Sequence, residues 1–482
     1  MQVRDLSKRY REAILLMLVL FAALYSAGSL VRATSQINLD FNEGWNAYQA
    51  DNLYKGLPLY PDYEALTSNN YPPLSFVIVG AVGMISGDHI FSGRVIGLLS
   101  LLVVCIFSGL CVYRICHSRF GGVLAGLVMY IFMNKLAGDY VGMNDPQWLA
   151  HAIAICGLYM LMATGNRTTN MMISAFLIVL AGFVKHNLVP LPIAAALWLF
   201  LFHRRYALVW VITATVTLMT LFGLTYGAFG QNMMVGLFDA PRVYSTDLMM
   251  NSMGRWLPTL VPSLAVAACL VFVRNQDNIG EKYNWLILLY VILSFIFGAF
   301  TLGGVGVDVN GLFDLTIASC IAAGVVIGHY DQQIKHHGGR HWLPVVGVLI
   351  LVSGLLISAP TAAKKSLYAY RTLNGNAMET AGNIEFIKKH PDPVMCETLS
   401  LCYWAGKEIS VDFFMTGQKL INETMSADKL LDNIRQKRYS LIQIEKLNAT
   451  SRLFPDIINQ TIALNYQIVR TSELNGAFLE PR

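Results

Sequence analysis

The sequence contains few charged residues. Of its 482 residues, only 13% are Asp, Glu, Lys or Arg, about half the share of a typical soluble domain, and 55% are hydrophobic. Apolar runs such as 13–32, 206–226 and 284–302 are long enough to cross a hydrocarbon core of about 30 Å. We therefore predict an integral membrane protein and expect no nucleic-acid partner. The run at 13–32 is followed by no small-residue cleavage site, which favours a retained anchor.

Paired CxxC motifs, which are typical of zinc sites, are absent from the sequence. Six of the eight cysteines lie in or beside apolar runs, where cysteine is usually a small buried hydrophobe. Cys396 and Cys402 lie instead in the polar C-terminal part and could pair in an oxidising compartment. The sequence also lacks the internal repeat that marks inverted-repeat transporters.

Eleven membrane crossings are predicted from the apolar runs. They lie at residues 13–32, 91–113, 119–137, 147–164, 170–187, 188–202, 206–226, 257–274, 284–302, 310–328 and 342–360. Six basic clusters lie at alternate ends of these runs, and the positive-inside rule places all six in the cytoplasm together with the N-terminus. The loops at 33–90, 138–146, 185–187, 227–256 and 303–309 and the tail 361–482 are then extracytoplasmic. The short, Pro-led run 73–88 favours a juxtamembrane or re-entrant helix, because a crossing there would reverse everything after it.

Two regions differ in composition. Residues 1–360 read as a transmembrane catalytic domain that includes the first loop at 33–90. Residues 361–482 have ordinary charge density, with helix patterns in AMETAGNIEFIKKH and SADKLLDNIRQKR and strand patterns in PVMCE and YSLIQIE. The predicted fold is thus an α-helical polytopic membrane protein of about 11 to 13 helices with a small C-terminal α/β domain.

Ionisable and polar residues gather at the predicted outer ends of the crossings, in loops distant in sequence. Such groups are often interfacial anchors, but several from different loops meet only if the helices form one cavity. A buried lysine in the short third loop would also need an anionic partner. These residues are Asp40, Glu43, Asp51, Asp62, Arg94, Asp139, Asp145, Lys185, His186, Asp308 and Asn310.

Asp40 and Glu43 are three residues apart, so in a helical turn they share one face. Such a pair could activate a hydroxyl as a general base or help to hold a divalent cation. The pair could equally cap a short juxtamembrane helix. The spacing alone leaves these alternatives open.

The order of motifs resembles the GT-C superfamily of polyprenyl-phosphate-sugar glycosyltransferases, especially bacterial protein O-mannosyltransferases and aminoarabinose transferases. The resemblance lies in DFNEGWNAYQADNLYKGLPLYPD after the first crossing, NYPPLSF, GRVIGLLS, AGFVKHNLVPLPIAAALWLF and VGVDVNGLFDL. It implies an inverting transfer of a hexosyl or pentosyl group from a polyprenyl-phosphate donor to a hydroxyl acceptor at the outer face of a bacterial inner membrane. The acceptor would be a glycolipid such as that of lipopolysaccharide, a polysaccharide or a protein.

The resemblance also implies roles for individual residues. Asp40 would be the catalytic base, with Glu43 as the second candidate. Lys185, His186 and Arg94 would contact the donor phosphate, and the acceptor or sugar would contact Asp145, Tyr71, Trp45 and Asp308. A divalent metal is possible, but no ligand cluster identifies one.

Two other functions compete with a glycosyltransferase. A transporter or flippase of lipid-linked glycans would place charges near mid-membrane, where this sequence has almost none. An O-antigen polymerase or ligase usually has its large outer loop mid-chain, whereas here the large outer segments are the first loop and the tail.

Overall fold

The computed structural model describes residues 2–163, 165–239, 243–273, 278–337 and 342–482. Thirteen helices precede the C-terminal sheet in these ranges. They are α1 Gln2–Ala33, α2 Phe41–Tyr54, α3 Leu74–Ser86, α4 His89–Cys116, α5 Arg119–Leu136, α6 Gln147–Met162, α7 Arg167–Val184, α8 Pro190–Phe202, α9 Arg204–Phe238, α10 Thr246–Ala268, α11 Asn278–Thr301, α12 Phe313–His337 and α13 Trp342–Lys388.

Eight stretches of the described chain are long and apolar enough to cross a membrane, and α3, α6 and α8 are shorter apolar helices. Each of the eleven predicted crossings corresponds to one helix of the bundle. The start of α10 differs from the prediction, since the helix begins at Thr246 whereas the prediction began at 257. Its first half, TDLMMNSMGRW, is polar enough to read as a loop, but Ser245 caps it by accepting from the Leu248 N–H.

Consecutive bundle helices alternate in direction, as contacts at their two ends show. At one end, which we call the site end, Ser29 donates to the Gly138 carbonyl and Asn310 to Gln147. At the opposite end, Gln332 donates to the His117 carbonyl, and Arg114 donates to the carbonyl of Met162. The basic clusters that the structure describes lie at this opposite end.

Helix α12 lies at the centre of the bundle, with 94% of its apolar window buried, whereas α9 is peripheral with 11% buried. Close helix approach at the centre depends on small residues. A Cβ on Gly324 of α12 would lie 2.6 Å from the Ala125 Cβ of α5. Bulkier residues would force these two helices apart.

The two helices between α1 and α4 stay at the site end. Helix α2 packs on α3 through Trp45 and Phe76, whose rings lie 5.9 Å apart. At the far end of α3, Gly83 packs on His89, which is hydrogen-bonded to Tyr403 of the C-terminal domain. Because both ends of α3 contact site-end elements, α3 does not cross the bundle, in agreement with the juxtamembrane prediction for 73–88. Its exposed apolar side chains, including Ile85 at 89%, suit a helix lying at a membrane interface.

The C-terminal domain is a small α/β fold, as predicted. Its four-stranded sheet has the order β1-β2-β4-β3, with β1 and β2 parallel and the other pairs antiparallel. The strands are β1 Val394–Cys396, β2 Leu441–Ile444, β3 Tyr466–Ser472 and β4 Gly476–Pro481, and the helices are α14 Leu399–Trp404, α15 Phe413–Ile421, α16 Asp428–Arg435 and α17 Asp456–Asn465. Cys396 and Cys402 form a disulfide at the start of α14.

The final membrane helix does not stop where the composition changes. Helix α13 continues through Pro360 to Lys388, so the predicted division at residue 361 falls inside a helix. The stretch read as a separate helix, AMETAGNIEFIKKH, is largely the last part of α13. Ile384 and Ile387 near its end pack into the core shared by the first loop and the C-terminal domain.

Candidate active site

Asp40 lies at the start of α2, directly after the loop that leaves α1. Its Oδ1 accepts hydrogen bonds from the Asn42 N–H and the Asn42 Nδ2, both at 2.9 Å. Asp40 is therefore the N-cap of α2, as one of the sequence alternatives predicted. Within the described residues, Oδ2 receives no hydrogen bond. One oxygen thus fixes the side chain while the other can accept a proton.

The surroundings of Asp40 make it a stronger base than an ordinary aspartate. Burial of the carboxylate raises its pKa to about 6, against the opposing effect of the hydrogen bond from Asn42. The negative charges of Asp145, Asp308 and Glu43 contribute to this rise. The acidic residues of three separate loops are thus brought into one electrostatic site.

Glu43 and Arg94 form a buried pair. Arg94 donates from Nε to Oε1 at 2.8 Å and from Nη2 to Oε2 at 2.7 Å. Glu43 also accepts from the backbone N–H groups of Asn144 and Leu39. The Glu43 side chain has no exposed surface, so its oxygens are engaged in holding the first and second loops together.

The remaining donors of Arg94 face the chain between α1 and α2. They bind the carbonyl oxygens of Ser35 at 2.5 Å, Ile37 at 2.6 Å and Ala33 at 3.4 Å. A guanidinium has five N–H donors, and here all its nitrogens are bonded within the protein. This arrangement favours a role for Arg94 in shaping the Asp40 loop over direct contact with a phosphate.

Lys185 follows α7 and reaches the second loop. Its Nζ lies 3.0 and 3.2 Å from the two oxygens of Asp145 and 4.6 Å from the ring centroid of Tyr71. Burial lowers the pKa of Lys185, but the charge and hydrogen bonds of Asp145 and Tyr71 together raise it, so the net shift is upward and the ammonium stays charged. Lys185 therefore has the anionic partner that the sequence analysis required.

The remaining residues of the predicted site differ in how deeply they are buried. Trp45 is buried and donates to the Ser68 carbonyl, with its ring 5.0 Å from that of Tyr71. Asp308 is half-buried, and burial raises its pKa. His186 is exposed beside Lys185.

Asp51, Asp62 and Asp139 each have a polar partner of their own. Asp51 pairs with Lys55 and Asp62 accepts from Asn232, both on the surface of the first loop. Asp139 pairs with Arg32 at 2.9 Å.

A buried polar chain leads from the site into the bundle, and the sequence analysis did not find it. Gln147 Nε2 lies 3.0 Å from His151 Nε2, and His151 Nδ1 lies 3.9 Å from Asp314. Tyr290 donates to the same carboxylate at 2.5 Å. These four side chains come from α6, α11 and α12, so they join the helix that follows the second loop to the two helices that flank the loop at 303–309.

A cavity of about 740 Å³ adjoins the Asp40 loop, reaching Asn38 and Leu39. It lies between α1, α5, α10 and α13, and its lining along α13 runs from Ser358 to Asn376. At 1.5 Å per residue this is about 27 Å, and most of it lies beyond residue 360, where the predicted crossing ends, so the cavity lies at the site end. We call it the main cavity. Its charged lining residues are four cations, Arg32, Lys135, Arg255 and Lys365, and one acid, Asp139, which pairs with Arg32.

Sequence reasoning missed these four basic residues, although a signal was present. Lys135 and Arg255 lie at the predicted outer ends of their segments, where the positive-inside rule expects few cations. Within the described residues, Lys135 has only the Gly354 carbonyl as a hydrogen-bond partner, at 2.8 Å. A cation at the outer end of a membrane helix, where the positive-inside rule does not expect one, is a candidate for binding an anion.

Among the residues that the structure describes, no group of three or more His, Cys, Asp or Glu side chains is arranged to hold a metal ion.

Comparison with solved structures identifies the architecture. ArnT from Cupriavidus metallidurans bound to undecaprenyl phosphate aligns with a TM-score of 0.60 at 13% identity, over 96% of this chain and 97% of ArnT. ArnT in the apo state gives a TM-score of 0.61 at 12% identity, with the same coverage. The chain has the GT-C fold. The predicted resemblance to aminoarabinose transferases is thus confirmed at the level of fold.

A more distant GT-C structure shows the same architecture. The apo oligosaccharyltransferase of Archaeoglobus fulgidus aligns with a TM-score of 0.51 at 10% identity, over 98% of this chain and 75% of that protein. No protein-family model and no curated protein sequence matches the chain. The GT-C likeness is therefore one of fold, and the chemistry must be argued from the site.

Proposed function

We propose that this protein is a membrane glycosyltransferase that moves a sugar from a polyprenyl-phosphate donor to a hydroxyl acceptor, with inversion. The observation that carries the proposal is the position of Asp40. A carboxylate with a raised pKa and one free oxygen follows directly on Asn38 and Leu39, which line a basic cavity at the site end. ArnT, which has the same fold, is bound to undecaprenyl phosphate.

In the proposed reaction, Asp40 Oδ2 takes the proton of the acceptor hydroxyl. The acceptor oxygen then attacks the anomeric carbon, and the bond from that carbon to the phosphate oxygen breaks on the opposite face. The lipid phosphate leaves with the electron pair of that bond. The new glycosidic bond therefore has the opposite anomeric configuration.

The departing phosphate needs fixed positive charge, and the main cavity supplies it. Arg255 and Lys365 are exposed side chains on the cavity wall, and neither forms an ion pair within the described residues. Cations placed beside a leaving phosphate stabilise the charge that develops in the transition state. We assign the donor phosphate to this group rather than to Arg94, whose donors are occupied, or Lys185, which is neutralised by Asp145.

Asp145, Lys185 and Tyr71 then form the wall opposite the donor. Because Lys185 and Asp145 are both held by short contacts, they can present fixed hydrogen-bonding groups to a sugar. Tyr71 packs edge-on against Trp45 and offers an aromatic face beside them. His186 is exposed at the rim of this wall, and Asp308 borders it through its electrostatic contact with Asp40.

The proposed orientation places the site end outside the cytoplasm of a bacterial inner membrane. The basic clusters at the opposite end support this through the positive-inside rule. The disulfide between Cys396 and Cys402 supports it too, because disulfides persist in oxidising compartments.

The test compares envelope glycolipids and glycans by mass spectrometry in a deletion strain that carries wild type, Asp40→Asn or Asp51→Asn at equal membrane levels. Asp51 is a matched control, since it lies on α2 but pairs with Lys55 away from the cavity. We expect the deletion to lose one sugar mass, which wild type and Asp51→Asn restore and Asp40→Asn does not. Full restoration by Asp40→Asn would exclude Asp40 as the base. A deletion that loses no glycosyl group but accumulates lipid-linked sugar would instead indicate a transporter.

A further inference from the structure

A second polar cavity lies at the opposite end of the bundle, remote from Asp40. It has a volume of about 470 Å³, within the usual range of ligand sites, and lies between α1, α4, α5 and α12. Its charged lining residues are three cations and two acids: Arg11, Arg119, Lys335, Glu12 and Asp331. We call it the basal cavity.

One acid of the basal cavity is already neutralised. Asp331 is buried, and its Oδ1 accepts from Tyr10 and from Arg11 Nε, both at 2.7 Å. Arg11 is held by this contact, yet its Nη2 is buried and has no hydrogen-bond partner. A buried N–H donor of a cation without an acceptor is costly, so this nitrogen is available to an anion that enters the cavity.

Among the residues that the structure describes, the other two cations have no polar side-chain partner. Within the described residues, neither Arg119 nor Lys335 forms an ion pair or a side-chain hydrogen bond, and both side chains are exposed at the cavity. Gln332, which also lines the cavity, is bound to the His117 carbonyl and closes one side. Three cationic groups from three helices thus converge on one space.

The apolar part of the lining distinguishes a lipid from a soluble anion. Leu15, Phe120 and Val123 line the same cavity, and Val123 is 51% exposed. Next to them, Leu16 and Leu20 of α1 are each 62% exposed on the surface that would face acyl chains. A basic headgroup site that continues into an apolar surface is the arrangement expected for an anionic lipid at the end of a transmembrane bundle.

We infer that the basal cavity binds the phosphate headgroup of an anionic phospholipid, held by Arg11, Arg119 and Lys335. The lipid would join α1, α5 and α12, which meet in the structure through Arg11 and Asp331 and through the packing of Tyr10 on Phe120. This site is independent of sugar transfer, and its occupancy does not depend on the proposed function.

The experiment measures thermal unfolding of the full-length protein in a neutral detergent with added phosphatidylglycerol, phosphatidylcholine or glycerol 3-phosphate. The variants are wild type, Arg119→Gln/Lys335→Gln and the control Arg204→Gln/Arg205→Gln. The control removes two exposed cations that lie outside the cavity, at the start of α9 at the same end of the bundle. Native mass spectrometry counts the retained lipids in the same samples.

Phosphatidylglycerol should raise the melting temperature of wild type and of the control variant, and phosphatidylcholine should not. The Arg119→Gln/Lys335→Gln variant should need on the order of tenfold more phosphatidylglycerol for the same shift, and should retain fewer lipids. An unchanged response in that variant, or an equal loss in the control, would overturn the inference. An equal shift with glycerol 3-phosphate would show that the cavity binds a soluble anion instead of a lipid.

Discussion

Arg94 binds Glu43 through two parallel hydrogen bonds, of 2.8 and 2.7 Å, in a place where neither side chain reaches solvent. Replacing Arg94 by Gln would leave the Glu43 carboxylate buried without its counter-charge. Loss of one partner of a buried ion pair costs about 3–5 kcal/mol. We expect Arg94→Gln to lower the melting temperature clearly, as measured by thermal unfolding of the purified protein.

The control for this prediction is an exposed pair. Lys388 Nζ lies 3.7 Å from Glu385, and both side chains are 64% exposed. Pairs of this kind contribute about 0–1 kcal/mol, so Lys388→Gln should leave the melting temperature nearly unchanged. Equal melting temperatures for Arg94→Gln and wild type would contradict the structural role of the pair.

The pH dependence of transfer should report on Asp40. Its pKa is raised to about 6, and only the ionised carboxylate can accept the proton of the acceptor. Transfer should therefore be at its maximum above pH 7 and fall about tenfold for each pH unit well below 6. The measurement is kcat/KM for transfer between pH 5 and 8. A rate that stays constant down to pH 5 would show that Asp40 is not the base.

Much of the architecture could be predicted because burial in a membrane leaves a strong sequence signal. Long apolar runs and alternating basic clusters gave eleven helices in the right order. The start of α10 was missed since its first half is polar, and the end of α13 was missed since a helix that leaves the membrane loses its apolar signature. Both errors lie where a helix continues beyond the apolar run.

The site was predicted only in part, for a physical reason. The sequence shows that a charged residue lies in an unusual, apolar context, but it does not show which residue pairs with it. Lys185 was correctly expected to have an anionic partner, and the structure provides Asp145. Arg94 was expected to bind phosphate, yet its partner is Glu43, 51 residues earlier in the chain. Pairings across such distances depend on helix packing, which periodicity does not encode.

Two neighbouring lysines on α13 test the assignment of the donor phosphate. Lys365 lines the main cavity, whereas Lys364 is exposed and outside it. Removing a charge that hydrogen-bonds the phosphate costs about 1.5–3 kcal/mol, which is roughly 10- to 100-fold in affinity. Lys365→Gln should raise KM for the lipid-linked donor by this factor, while Lys364→Gln leaves it unchanged. Equal donor KM values for the two variants would place the phosphate elsewhere.

The disulfide between Cys396 and Cys402 should stabilise the C-terminal domain. Closing a loop of this length contributes about 2 kcal/mol through the entropy of the unfolded chain. Cys396→Ser/Cys402→Ser should lower the melting temperature of that domain, and a reductant should lower it for wild type but not for the variant. The control is Cys269→Ser, which removes an exposed free thiol. A wild-type protein unaffected by reductant would contradict the prediction.

Gly44 joins the catalytic loop to the C-terminal domain, and its substitution tests whether that domain positions Asp40. A Cβ at Gly44 would lie 2.2 Å from the Ser400 nitrogen and 2.5 Å from the Leu399 carbonyl carbon, so α14 would have to move away from α2. Because these are backbone atoms, no side-chain rotation relieves the clash. A shift of α2 would move Asp40 as well, since α2 begins at the residue after Asp40. Gly44→Ala should therefore reduce transfer strongly at unchanged membrane levels. Gly254→Ala is the matched control, as nothing lies within 4 Å of its added Cβ. Full transfer by Gly44→Ala would show that the contact between α2 and α14 does not set the position of the base.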